Sequence, residues 1–169
     1  LRSKWREHTV PFYCSVDLRN SGFKLAPVDT NLFPGGFNNL NPEFMPLCVQ
    51  AMMNAIEKIC PDTQSVLLIP ENHTRNTFYL QNIATLQDIM HQAGLNVRIG
   101  SLLPEITTAT TLDLPDGQTI TLEPLIRKNN VLSVKNFEPC AIILNNDLST
   151  GIPDILQDLN QAIIPPLHA

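Results

Sequence analysis

The sequence predicts an α/β fold: a Rossmann-like, mostly parallel sheet flanked by helices, with β-hairpin additions. Three observations predict it. "SVLLIP" (65–70) and the "AIIL" of "CAIILNND" (140–147) are continuous apolar runs of strand length, the mark of strands buried on both faces, as in parallel sheets. Between the first run and "LNVRIGSL" (95–102) lies a segment of helical period, and strand, helix and strand with short links make a right-handed βαβ unit. In 110–125 the period drops to two around Asp116-Gly117, a strong hairpin signal.

The elements follow in order. "FYCSVDLR" (12–19) alternates well enough for a strand and "FKLAPV" (23–28) is a second extended run. "NSG" between them is a turn in which Gly22 can take positive φ, so a hairpin is expected, with Pro27 confining it to an edge or a bend. A helix is expected over 41–61, with Asn41 as N-cap and Pro42 at the first position. Phe44, Cys48, Met52, Ile56 and Ile59 form its apolar stripe, and Pro61 ends it. A second helix is expected over 76–94, with Tyr79, Ile83, Leu86 and Met90 as its stripe and Gly94 as its stop. A short last helix is expected over 152–163, with Ile152, Ile155, Leu156 and Leu159 turned inward.

At 169 residues, 43% hydrophobic and 16% charged, the chain is the size of one domain with a substantial core. A net charge of −5 and scattered basic residues argue against nucleic acid or an anionic membrane as partner. No apolar run reaches the length of a membrane span, and "LRSKWREHTV" is not a secretory signal, so a cytoplasmic location is expected. The absence of an initial Met and the ending "PPLHA" suggest a piece of a longer protein. Cys14, Cys48, Cys60 and Cys140 are widely spaced and read as reduced thiols, and neither they nor the histidines show metal-ligand spacing; no metal site is expected.

Polar residues gather after three strand-like runs, as "RNSGFK" with "DTNLFPGGFNN", as "ENHTRN" and as "NNDLSTG". In open α/β sheets ligands sit beyond the carboxyl ends of the strands, so the three clusters are expected to converge on one crevice. They are rich in amides, and their cations Arg19, Lys24 and Arg75 suit a small carboxylated or zwitterionic ligand, since Arg grips a carboxylate with two parallel hydrogen bonds. The expected binding residues are Arg19, Asn20, Lys24, Asp29, Asn31, Asn38, Asn39, Asn72, Arg75, Asn76, Asn145, Asn146 and Asp147. Asp29, Glu71 or Asp147 would answer an ammonium group. For each cluster the competing reading is structural, because Asn and Asp after strands are common turn formers and helix caps. The sequence has no phosphate-binding glycine motif, no G-x-S-x-G and no nucleophile in a telling context, so no catalytic residue is assigned.

"SVDLRNSGFKLAPVDTNLFPGGFNNLNP" and "LLIPENHTRNTFYLQNI", with "GSLLPEI" and "LNNDLSTGIP", resemble the proteobacterial glutamate–cysteine ligase family first described in acidophilic iron oxidisers. The resemblance runs from about Trp5 to His168. It implies that residues 1–169 are the N-terminal, pre-ATP-grasp-like domain of a longer chain, followed by an ATP-grasp-like portion. It further implies ATP-dependent joining of the L-glutamate γ-carboxyl to the L-cysteine amine through γ-glutamyl phosphate, the first step of glutathione biosynthesis. ATP and Mg2+ would then bind mainly outside this fragment, which alone would be inactive; a homo-oligomer is left open. The alternatives are a structural or dimerisation module, and a Rossmann-like small-molecule-binding domain of a transferase.

Overall fold

The computed structural model describes residues 11–59, 64–72 and 75–168, together with Ser3 and Glu7. Its centre is a six-stranded sheet in the order β10-β9-β3-β4-β6-β5. These strands are β3 (Ser65–Pro70), β4 (Asn96–Ser101), β5 (Thr110–Asp113), β6 (Thr119–Pro124), β9 (Ala141–Asn145) and β10 (Ala162–Ile164). Every pairing is parallel except β5 with β6, so the expected hairpin is present and is built into the main sheet as its edge. Two antiparallel pairs stand apart: β1 (Ser15–Asn20) with β2 (Leu25–Asn31), and β7 (Ile126–Lys128) with β8 (Val131–Ser133).

Side chains alternate across the buried strands and so divide the core in two. Val66, Leu68 and Ile143 point to one face, where they pack with Met52 and Ile56 of α1 (Met45–Glu57) and with Leu80, Ile83, Leu86, Ile89 and Met90 of α2 (Thr77–Gln92). Leu67, Ile69, Ile142 and Leu144 point to the other, where Leu132, Val134 and Leu156 cover them. Gln161 ties down this second layer: its side-chain amide bonds both the N–H and the carbonyl of Leu132 and the carbonyl of Pro139.

Two helix starts follow the sequence closely. Asn41 accepts from the Glu43 N–H and Asn76 from the Tyr79 N–H. The first is a 3-10 turn, Pro42–Phe44, that runs into α1; Phe44 is exposed and leaves the expected stripe. Gly94 ends α2 with φ of 86°.

Two expectations are overturned. Residues 152–163 are not a helix: a 3-10 turn over Asp154–Leu156 is followed by β10. Pro153 precedes the turn, Asp158 sits at φ 53°, and Ala162–Ile164 pairs in parallel with β9 instead of continuing a helix. The four expected side chains still turn inward, Leu156 fully buried and Ile152, Ile155 and Leu159 packed beside it. The cysteines are also not uniformly reduced: Cys140, whose N–H bonds the Ser65 carbonyl at the start of the sheet, is disulfide-bonded, whereas Cys14 and Cys48 are free. Wide sequence spacing hid this, because which cysteines come close is set by tertiary structure and not by separation along the chain.

Candidate functional site

The strand order places a crevice between β3 and β9. The chain leaves β3 through α2 and moves one way across the sheet to β4 and β6; it then returns past β7 and β8 to enter β9 on the other side of β3. The connections leaving β3 and β9 therefore diverge to opposite faces. This is the topological switch point at which open α/β sheets bind ligands.

Polar groups meet there. Pro70 pairs with Asn145 at the carboxyl ends of the two strands. Asn145 is buried and donates from Nδ2 to the Pro34 carbonyl at 2.9 Å. The Tyr79 hydroxyl accepts from the Glu71 N–H at 2.8 Å and lies 2.8 and 2.9 Å from the carbonyl and Oδ1 of Asn145. The Tyr13 hydroxyl donates to the Leu144 carbonyl at 2.5 Å. Asn146, also buried, donates to the Pro70 carbonyl at 3.2 Å and accepts from the Leu148 N–H. Burial raises both phenols above the ordinary tyrosine value; an Asn145 hydrogen bond only partly offsets this at Tyr13, and the Glu71 N–H only partly at Tyr79. Both therefore stay protonated donors at neutral pH.

The segment "FPGGFNN" roofs this wall. Phe33 packs into the cluster on one face of the sheet and Phe37 against the cluster on the other, so Pro34-Gly35-Gly36 crosses over the strand ends. Pro34 is buried and held by Asn145, while Phe37 N–H is held by Asn82 Oδ1 at 2.8 Å. Gly36 adopts φ of 82°, which a side chain would oppose, and Gly35 is exposed with open space where a Cβ would stand. Asn82 Nδ2 is buried and has no hydrogen-bond partner among the described residues.

A cavity of about 780 Å³ lies beside the wall, between α1 and β10, lined by Tyr13, Leu32, Ala51, Asn54, Lys58 and Ile164 among others. Its size suits a small ligand, but its lining is mostly apolar. A small polar ligand is better served by the exposed polar and backbone groups that gather at the switch point, so the candidate site is placed there.

The chain matches the glutamate–cysteine ligase family model, GshA, over residues 1–169. It belongs to the glutamate–cysteine ligase family. No curated protein matches it significantly. Among solved structures it is similar to the "Putative gamma-glutamylcysteine synthetase" of Methylobacillus flagellatus KT, at 69% identity and a TM-score of 0.94. That alignment covers 99% of this chain and 40% of the other, so the chain spans well under half the length of that relative.

Within this member of the family the expected site residues fall into three groups. Asn72, Arg75, Asn76, Asn145, Asn146 and Asp147 follow or end β3 and β9 at the switch point, and Asn38 and Asn39 sit in the 3-10 turn that closes the roof. His73 and Thr74, in the same cluster, lie outside the described residues. Arg19, Asn20 and Lys24 sit at the far end of the β1–β2 hairpin, roughly 13–16 Å along the strands from its base. Asp29 and Asn31 lie near that base and engage the N–H groups of Thr30 and Phe33. Several side chains have local work: Asn20 accepts from Gly22, Asn76 caps α2 and Asp147 accepts from Ser149.

Sequence reasoning put the "DTNLFPGGFNN" segment at the crevice but passed over Tyr13, Tyr79 and Asn82. Tyr79 fitted the α2 stripe and read as core. The available signal was Asn82, a polar residue beside Ile83 on a face otherwise composed for burial.

Proposed function

We propose that this chain is the N-terminal, substrate-recognising part of an ATP-dependent glutamate–cysteine ligase that forms γ-glutamylcysteine through γ-glutamyl phosphate. One observation carries the reading: in a chain of this family, the switch-point crevice is walled by buried amides and roofed by an exposed glycine bridge. Such a crevice suits an amino-acid ligand, because the exposed Gly35 backbone and a guanidinium would meet its carboxylate while the committed amides hold the mouth in shape. Arg75, exposed between the end of β3 and the start of α2, is the cation we assign to a substrate carboxylate. Asn72, Asn38 and Asn39 border the same opening. The chain's own part is positioning, the dominant contribution in phosphoryl-transfer chemistry alongside charge neutralisation.

Among the described residues no group of three or more His, Cys, Asp or Glu is placed to hold a metal ion. We place ATP and Mg2+ in the ATP-grasp-like portion that the family resemblance implies. Residues 1–169 alone would then be inactive. A cytoplasmic location belongs to the same proposal; among the described residues no helix is long and apolar enough to cross a membrane.

The test is Arg75→Ala in the full-length enzyme, followed by ADP release that depends on glutamate and cysteine. Loss of a charge-assisted contact of about 1.5–3 kcal/mol should lower kcat/KM for one amino acid by roughly 10- to 150-fold. An unchanged kcat/KM for both amino acids would remove Arg75 from the site.

A further inference from the structure

The β1–β2 hairpin is an arm. It packs mainly on itself, and no other described element makes an extensive contact with it. An isolated two-stranded hairpin is marginal in water. This one nevertheless carries large apolar side chains in the open: Phe23 at its turn is 92% exposed, and Val16, Leu18, Leu25 and Val28 are between 46% and 60% exposed.

The register sorts these side chains. Cross-strand partners share a face, so Val16 and Leu18 lie on one side with Leu25 and Pro27, which pairs with Leu18. Arg19, Ala26 and the directly opposed Asp17 and Asp29 lie on the other. Val28 is the extra residue of the bulge. The arm is thus amphipathic, and among the described residues no element covers either side. The like-charged Asp pair belongs in water, so the apolar side is the one that docks.

We propose that this arm is a clasp that docks its apolar side on the remaining portion of the ligase polypeptide. The inference rests on the reading above that the chain is one part of a longer enzyme. Two arguments select that occupant. The match covers 40% of the related chain, which leaves about 60% of that chain outside it, ample surface to receive an arm. The area agrees: the apolar patch is on the order of 500 Å², and covering it would bury about 1,000 Å² over both surfaces. That falls among interfaces between parts of one chain, about 600–1,500 Å², and below the roughly 1,600 Å² of a stable complex, so arm against arm would not hold two copies together.

Hydroxyl-radical footprinting of the full-length protein tests it, with each residue's labelling rate compared with its rate in denaturant. A clasped arm should label about tenfold more slowly at Leu18, Phe23 and Leu25 in the native protein, at every protein concentration tried. Phe23→Asp should raise labelling of Leu18 and Leu25 and leave the particle mass unchanged. Native rates within about twofold of the denatured ones would show an uncovered arm and overturn the proposal. So would protection that disappears on dilution together with a fall in particle mass, because the cover would then be a second copy. Labelling reads coverage directly, whether or not the enzyme makes γ-glutamylcysteine, so failure of the clasp and failure of the ligase reading are distinguishable.

Discussion

Asn145→Ala tests the roof of the crevice. The Asn145 side chain joins β9 to the glycine bridge through the Pro34 carbonyl and meets the Tyr79 hydroxyl through Oδ1. Alanine leaves Tyr79 with the Asn145 backbone carbonyl and the Glu71 N–H, so the phenol is not orphaned. The buried Pro34 carbonyl loses its partner, and an unmet buried acceptor costs about 1–3 kcal/mol. A loss near 2 kcal/mol corresponds to roughly 4–8 °C in Tm for a chain of this size. Urea unfolding followed by circular dichroism should show a lower midpoint with an unchanged slope, since the surface exposed on unfolding hardly changes. Asn82→Ala releases the other anchor, the Phe37 N–H, and a double-mutant cycle separates shared from independent effects. If both amides hold one loop, the double variant should lose less stability than the two singles combined, because a loop already freed has nothing further to lose. Strict additivity, or a single-variant loss below about 0.5 kcal/mol, would refute the roof.

Three further outcomes follow from the geometry. Arg98 forms a forked ion pair with buried Glu123, donates to the Lys135 carbonyl and stacks over Phe137; Arg98→Ala should cost about 1–3 kcal/mol in urea unfolding, less than a fully buried pair because Arg98 is partly exposed. Tyr13 and Tyr79 titrate higher folded than unfolded, so their stabilisation is complete below about pH 10 and is lost as pH rises above it; each contributes at most about 1.4 kcal/mol per pH unit, and Tyr13→Phe with Tyr79→Phe should flatten the decline of Tm measured from pH 9 to 11. Gly100→Ala would drive a Cβ into Leu125 Cδ2 and put it 3.3 Å from Leu67 Cδ1, and the forced repacking should lower stability by about 1–3 kcal/mol in the same unfolding assay.

The parallel core was legible because local and tertiary demands agree there. Residues 65–70 and 141–144 are apolar without interruption, and only a strand covered on both faces asks for that. Elements stabilised by partners far along the chain were less legible. "AIIPP" followed a run whose apolar residues fitted a helical period, and its pairing with β9 left no local sign. β7 and β8 are three-residue strands joined at Asn129, which takes φ of 53°; the Asn-Asn pair was a turn signal, but flanking runs so short carry no period to read.

The candidate site was legible by place more than by role, and the reason lies in what an asparagine can do. A strand end leaves backbone groups that must be met, and one amide side chain offers both a donor and an acceptor. Asn146 shows the full use: Nδ2 serves the Pro70 carbonyl while Oδ1 serves the Leu148 N–H, so both sides of the amide are committed to backbone. Asn145 is committed in the same way, to Pro34 and Tyr79. The amides that draw attention in the sequence are thus the ones that build the crevice, and a ligand would have to displace a loop to reach them. Two groups stay exposed beside this construction, the backbone of Gly35 beyond a clamped proline and Arg75 beside a capped helix, and the function proposed above gives them the substrate carboxylate. On that proposal the committed amides act as supports, because donors hold a carboxylate in one pose only when their supports do not move.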